Sequence, residues 1–145
     1  MLRAHAAVTK QLDAELLSSH AVSLSSYEVL LHLDRAEDGQ MRMCELAELA
    51  VLSRSGLTRL VDRLAGEGLL VRESCSSDAR GSFARLTAAG QELLSAARPT
   101  HIEGVRRVFL SHLSSADQQA LAECWSKLLP ASDGEPDCAA STSAA

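Results

Sequence analysis

The sequence has little of what enzymes and zinc proteins require. Only 3 % of its 145 residues are aromatic. It contains no glycine-rich phosphate loop and no pairing of a nucleophile with a base, and its five histidines form no i, i+4 ligand pair. The four cysteines form no CxxC pair and no cluster with histidine; they are Cys44, Cys75, Cys124 and Cys138. We therefore expect a protein that is not an enzyme and has no metal site and no cofactor.

Long hydrophobic runs are also missing. No stretch approaches the length of a membrane span, and the first seventeen residues, MLRAHAAVTKQLDAELL, lack the apolar core of a signal peptide. These absences predict a cytoplasmic protein with no membrane partner. In that reducing compartment we expect the cysteines to be thiols rather than a disulfide framework.

Lysine is scarce, because twelve of the fourteen basic residues are arginine. The net charge of −5 would argue against nucleic-acid binding if it were spread evenly. However, residues 41–87 contain seven arginines and six acidic residues, so the negative charge lies elsewhere. Arginine is the residue best suited to bidentate contacts with phosphate and guanine. The middle of the chain is therefore the candidate region for contact with DNA.

The first half of the chain is predicted to form three helices and a short strand. Ser25 and Glu28 have the spacing of a capping box in front of an apolar run, and AEDGQ at 36–40 is typical of a turn. Cys44 is placed at the N-cap of the third helix. The predicted ranges are 2–17, 25–35 and 44–52 for the helices and 41–43 for the strand.

Residues 53–68 predict an amphipathic helix with both ends marked. Ser53 has the N-cap position, and Gly66 and Gly68 are expected to end the helix with positive φ. Leucine and valine recur on one face, whereas the opposite face is polar and carries Arg54, Ser55, Thr58, Arg59, Asp62 and Arg63. Two helices joined by a tight turn predict a helix-turn-helix. An ordinary solvated surface helix would show the same pattern if the segment were taken alone.

The pattern after residue 68 changes from helical to extended. Residues 69–74 and 82–86 are β-capable and flank a turn-rich tip at 75–81, which predicts a two-stranded wing. At this tip Asp78 can hold Arg80 extended, and Arg80 is the candidate for the minor groove. In the alternative interpretation Asp78 makes an Asx-turn and Arg80 is solvated.

The remainder is predicted to be helical. Thr87 is the expected N-cap of a helix over 88–112, which Pro99 should kink or split. A last helix begins either at Ser114, with Asp117, or one residue later, and it should bury Cys124 in the core. Residues 130–145 have no periodicity and predict a disordered tail.

The chain resembles the MarR family of transcriptional regulators. The similarity extends from SLSSYEVLLHL through MCELAELAVLSRSGLTRLVDRLAGEGLLVRESCSSDARGSFARLTAAG, and the family pattern of D-x-R followed by L-T-x-x-G is matched. The matching residues are Asp78, Arg80, Leu86, Thr87 and Gly90. The resemblance implies a dimer built from terminal helices, a recognition helix in the major groove and Arg80 in the minor groove. It also implies control of nearby genes, commonly by repression that a small, often aromatic acid relieves. The peroxide-sensing members carry a cysteine in the first helix, where this sequence has none.

The predicted fold class is mainly α, a winged helix-turn-helix with a two-stranded β wing, flanked by N- and C-terminal dimerisation helices. Residues 1–23 and 87–129 would form the dimerisation region, 24–86 the DNA-binding domain and 130–145 the tail. The expected function is repression by a homodimer on palindromic double-stranded DNA, released by a small-molecule effector whose site the sequence does not identify. The predicted DNA contacts are Arg42, Ser53, Arg54, Ser55, Thr58, Arg59, Arg63, Asp78 and Arg80.

The alternative function is a redox sensor of the same fold. Cys75 is a candidate because the wing is exposed, and Cys44 because a helix dipole would lower the pKa of its thiol. The aromatic residues are interpreted as core fillers and the histidines as surface or cap residues.

Overall fold

The computed structural model describes residues 2–74 and 82–128. These residues form six α-helices and three strands, with 3₁₀ turns at Glu37–Gly39 and Leu110–His112. In chain order the elements are α1 (Leu2–His20), α2 (Leu24–Arg35), β1 (Gln40–Arg42), α3 (Met43–Leu49), α4 (Arg54–Gly66), β2 (Leu70–Ser74), β3 (Ser82–Leu86), α5 (Ala88–Val108) and α6 (Ser115–Leu128). The predicted mainly α, winged-helix fold is confirmed.

Side-chain caps fix where most of the helices begin. Ser53 accepts the Gly56 N–H at 3.1 Å, and Thr87 accepts the N–H of Gly90 at the same distance, so both predicted N-caps are confirmed. Ser114 and Asp117 form a reciprocal capping box: the Ser114 N–H donates to the carboxylate at 3.0 Å, and the Asp117 N–H donates to the serine hydroxyl at 3.2 Å. The first of the two starts that the sequence allowed for α6 is therefore the observed one.

Two predicted helix starts are wrong. The N-cap of α2 is Ser23, whose hydroxyl accepts the Ser26 N–H at 3.2 Å, and Ser25 lies exposed inside the first turn. Helix α3 begins at Met43 with Arg42 at its N-cap, so Cys44 lies within the first turn and does not cap the helix. In both places the helix starts earlier than the sequence pattern suggested: the Ser23 hydroxyl caps α2, and at the start of α3 the Arg42 N–H donates to the Glu45 carboxylate at 3.3 Å.

The observed ends of α1, α3 and α5 lie three or four residues from the predicted ones, and Gly66 does not have the positive φ expected of it. Gly66 is the last residue of α4, and only Gly68 beyond it has positive φ, at 75°. Pro99 does not split α5, which continues as one helix of 21 residues. Since α5 packs along much of α1, the gain from that packing exceeds the cost of the one backbone hydrogen bond that proline removes.

The three strands form one antiparallel sheet in the order β1-β3-β2. Residues Leu70–Ser74 pair with Leu86–Ser82, which confirms the predicted wing strands. Strand β1 pairs with the other edge of β3, where Met41 faces Ala84. The sheet thus connects the start of the helix-turn-helix to the wing.

One continuous core joins the winged helix to the flanking helices. Helix α2 lies at its centre, and α4 contributes Leu57, Val61 and Leu64 from its apolar face. The buried residues of α2 are Leu24, Ser26, Tyr27, Val29, Leu30 and Leu33. The orientation of α4 is therefore fixed by packing against the same core that supports α5.

Helix α6 buries none of its residues in the single chain. Trp125 stacks on Phe109 with ring centroids 6.4 Å apart, but it stays 42 % exposed, and Leu128 is more exposed still. Cys124 is exposed, so the prediction that it lies in the core is wrong. The apolar pattern of α6 correctly indicates a helix, but no other described part of the chain covers it.

The Gly90→Ala substitution is expected to lower the free energy of unfolding by about 3 kcal/mol. A Cβ at Gly90 would lie 2.0 Å from the backbone oxygen of Leu69 and 2.8 Å from Leu86 Cδ1. Chemical denaturation measures the effect, and Gly66→Ala is the control because its Cβ would meet open space. The control should change stability by no more than about 1 kcal/mol. Equal stability of the two variants would contradict the packing described here.

Candidate nucleic-acid interface and an adjoining cavity

The polar face of α4 presents most of the predicted DNA contacts together. Ser53, Arg54, Ser55 and Arg59 are exposed at or near the N-terminal end of the helix. Thr58 is half-buried, and its hydroxyl donates to the Arg54 carbonyl at 2.9 Å. This face combines cationic side chains, hydroxyls and the positive end of a helix, which together suit phosphate and base edges.

Arg63 lies apart from this group. Its Nη2 donates to the hydroxyl of Ser26 on α2 at 2.9 Å, and its Nη1 lies 3.7 Å from the carboxylate of Glu67. That Arg63 contacts DNA stays a prediction, but the structure places its guanidinium against α2.

A further arginine, which the sequence interpretation did not single out, connects α4 to the wing. Arg72 on β2 pairs with Asp62 of α4 at 3.2 Å, and it also donates to the Ser82 hydroxyl at 3.5 Å. Arg72 follows Asp62 by ten residues, a separation that matches neither helical nor strand spacing. Only the folded arrangement of α4 and β2 brings the two side chains together. An exposed pair of this kind contributes little stability, but it orients a cation beside α4.

Arg42 lies at the other edge of the sheet. Its guanidinium carbon is 5.4 Å from the centre of the Phe83 ring, a cation–π contact that holds the side chain over β3. The predicted wing-tip residues Asp78, Arg80 and Cys75 lie outside the described residues.

A cavity of about 490 Å³ opens between α2 and α5. Three arginines surround it, and of these Arg98 pairs with Asp34 at 2.8 Å. The lining residues are Tyr27, Leu31, Arg35, Arg98, His101, Ile102, Val105, Arg106 and Leu110. An apolar wall with several cations at its rim suits a small organic anion.

His101 lines the cavity beside Tyr27. Its ring centroid lies 4.6 Å from that of Tyr27, and its Nδ1 is buried without a hydrogen-bond partner among the described residues. Burial lowers the pKa of His101, so its imidazole is mainly neutral at pH 7. Burial also raises the pKa of Tyr27, which the nearby Arg98 opposes.

The sequence interpretation missed this cavity, and His101 is not the surface or cap residue that it expected. Arg35 and the arginines of α5 are more than sixty residues apart in the chain, and only the packing of α2 on α5 brings them together. The one feature of the sequence that could have indicated the cavity is that these arginines lie outside the predicted DNA-binding segment.

The expectation of free thiols is wrong for Cys44, which is disulfide-bonded. Cys124 is free. The prediction of free thiols rests on the reducing potential of the cytoplasm. Whether a disulfide forms depends also on whether the fold brings two sulfur atoms within bonding distance. In the part of the chain that the structure describes, no three metal-ligating side chains cluster, and no helix has the length and apolar character to cross a membrane.

The helix-turn-helix, the three-stranded sheet and the arginine-bearing face of α4 define a winged-helix DNA-binding protein. A family model described as "MarR family" matches residues 22–81. The DNA-bound crystal structure of Sco3205, a MarR family transcriptional regulator from Streptomyces coelicolor, is 32 % identical with a TM-score of 0.83, covering 92 % of this chain and 87 % of that one. AbsC, a MarR family regulator from the same organism, is 33 % identical with a TM-score of 0.81, covering 88 % and 85 %.

Transcriptional regulator HosA from Escherichia coli O157:H7 is 33 % identical over 84 residues, which span 58 % of this chain and 62 % of HosA. The chain belongs to the MarR family. The relatives that it matches are transcriptional regulators, not enzymes.

Proposed function

We propose that the chain represses transcription as a homodimer bound to a roughly palindromic operator. The observation that carries the proposal is the exposed polar face of α4, which gathers Ser53, Arg54, Ser55 and Arg59 at the end that would enter the major groove. The acidic remainder of the chain would keep nonspecific binding weak and restrict DNA to this face.

The uncovered apolar residues of the terminal helices support the homodimer. Leu2 on α1 and Trp125 and Leu128 on α6 are exposed in one chain, and a second copy would bury them. The two recognition helices would then meet successive major grooves about 34 Å apart. In this arrangement 1–23 and 87–129 form the dimerisation region, 24–86 reads DNA, and the protein acts in the cytoplasm.

The cavity between α2 and α5 is the proposed effector site. A carboxylate would meet Arg35, Arg98 and Arg106, while an attached ring would lie on the apolar wall near Tyr27 and His101. The neutral His101 would form part of the wall against which that ring packs. The effector class is therefore a small aromatic acid.

The disulfide at Cys44 favours redox sensing as a second candidate function. Cys44 lies in the first turn of α3, directly after the strand that pairs with the wing. Making or breaking a bond at this position would act on the connection between the helix-turn-helix and the sheet.

Replacing Arg80 by alanine is expected to weaken operator binding by about 1–3 kcal/mol. Arg54→Gln and Arg59→Gln should also weaken binding, and the slope of log K against log salt should fall by about 0.9 for each phosphate that the variant no longer neutralises. Titration of fragments selected from genomic DNA, at several salt concentrations, measures both quantities. Arg3→Gln on α1 is the control for the same loss of charge. Parent-like binding by all three variants would contradict the proposed docking.

Benzoate is expected to weaken operator binding by the wild-type protein. Arg35→Gln should raise the benzoate concentration needed by about tenfold, because the cavity rim then lacks one charge-assisted hydrogen bond to the carboxylate. Fluorescence anisotropy of labelled operator gives both values. Benzyl alcohol provides the matched ligand without charge. An equal response to benzoate and benzyl alcohol, or an unchanged response in Arg35→Gln, would show that the cavity does not select an organic anion.

If redox sensing operates, diamide should change operator affinity by about fivefold or more, and excess dithiothreitol should reverse the change. Cys44→Ser should abolish the response, whereas Cys124→Ser should retain it. Comparing Cys75→Ser with Cys138→Ser would then identify the partner of Cys44. A wild-type protein that binds its operator equally under oxidant and reductant would remove this second candidate.

A further inference from the structure

A buried hydroxyl connects the recognition helix to the helix that lines the cavity. Ser26 on α2 is 1 % exposed, and its Oγ accepts from Arg63 Nη2 at 2.9 Å. The same oxygen is hydrogen-bonded to Ser23 Oγ at 2.7 Å, so the guanidinium reaches the N-cap of α2. A charge-assisted hydrogen bond to a buried hydroxyl restricts both helices more than a solvated contact would.

Helix α2 presents its two sides to different sites. Tyr27, Leu31 and Arg35 recur every four residues and line the cavity. At 3.6 residues per turn Ser26 lies about 140° around the helix from Leu31, on the side that meets α4. A displacement of the cavity wall is therefore also a displacement of the contact that holds Arg63.

The N-terminal end of α2, which Arg63 reaches, would not by itself attract a cation. The N-terminal end of a helix carries a partial positive charge, which opposes a guanidinium beside it. Glu67, one turn further along α4, lies 3.7 Å from Arg63 and offsets this repulsion. Ser26 and Glu67 thus hold the guanidinium of Arg63, and the position of α2 sets the direction of this side chain.

We propose that Arg63 is a positioning residue that holds α4 on α2 through Ser26, and that this contact transmits changes at the cavity wall to the recognition helix. The inference rests on the proposed function, since it concerns how DNA binding by α4 is regulated. A cavity ligand would favour one position of α2, and the Ser26–Arg63 bond would make the position of α4 follow it.

Salt dependence distinguishes a positioning role from contact with DNA. Arg63→Gln and Ser26→Ala should both weaken binding to a selected genomic fragment while leaving the slope of log K against log salt as in the wild type. Arg59→Gln should reduce that slope by about 0.9 for each phosphate that it no longer neutralises. Ser25→Ala, the exposed neighbour of Ser26, is the matched control and should bind as the wild type does. A reduced slope for Arg63→Gln would overturn the positioning role.

A cavity-filling substitution tests transmission without requiring the natural effector. Ile102→Trp, at a half-exposed position of the cavity wall, should change operator affinity by about fivefold or more in the wild-type and Ser25→Ala backgrounds. In the Ser26→Ala background the change should fall below about twofold. An equal change in all three backgrounds, or no change in the wild type, would overturn the transmission role.

Failure of the proposed function and failure of the role of Arg63 would give different results. If the wild-type protein selects no genomic fragment, the proposed function itself fails. If the wild type binds and the salt slope of Arg63→Gln falls as that of Arg59→Gln does, DNA binding stands and only the role of Arg63 is overturned.

Discussion

The burial of α2 is the constraint on which the other parts of this structure depend. Val29, Leu30 and Leu33 are fully buried, so a shift or rotation of the helix must also move the residues that are packed against it. One side of α2 forms a wall of the cavity, and another holds the recognition helix through Ser26. The cavity and α4 therefore contact different sides of the same helix.

Charge is arranged locally within a chain whose total is negative. Asp62, Glu73 and Asp34 pair with Arg72, Arg85 and Arg98 respectively, which places carboxylates next to the cations of the wing and the cavity rim. Exposed pairs contribute at most about 1 kcal/mol each, so their main effect is on orientation. The net charge of −5 therefore does not describe the surroundings of α4, because residues 41–87 hold seven arginines and six acidic residues.

The parts of the fold that were predictable from sequence are those decided over a few residues. Ser53 and Thr87 are correctly predicted as caps because each comes directly before an amphipathic run. Ser23 was missed because the segment SLSS offers three serines, and burial of Leu24 decides among them. The cavity forms because Arg35 of α2 lies beside α5 in the folded chain. No local sequence pattern indicates that these two distant segments meet. The wing-tip contacts expected of Arg80 stay a prediction.

Helix α6 shows the remaining limit of a sequence pattern. Its periodicity correctly indicated a helix with an apolar face, but periodicity does not say which molecule covers that face. Cys124 is expected in the core and Trp125 is interpreted as a core filler, but both are exposed in the single chain. The middle of α5 lines the cavity, and the C-terminal end of α5 leads into α6. A second copy that covers Trp125 on α6 would therefore restrict that end of α5. The proposed dimer contact, effector site and DNA-binding face would then all depend on the packing between α5 and α2.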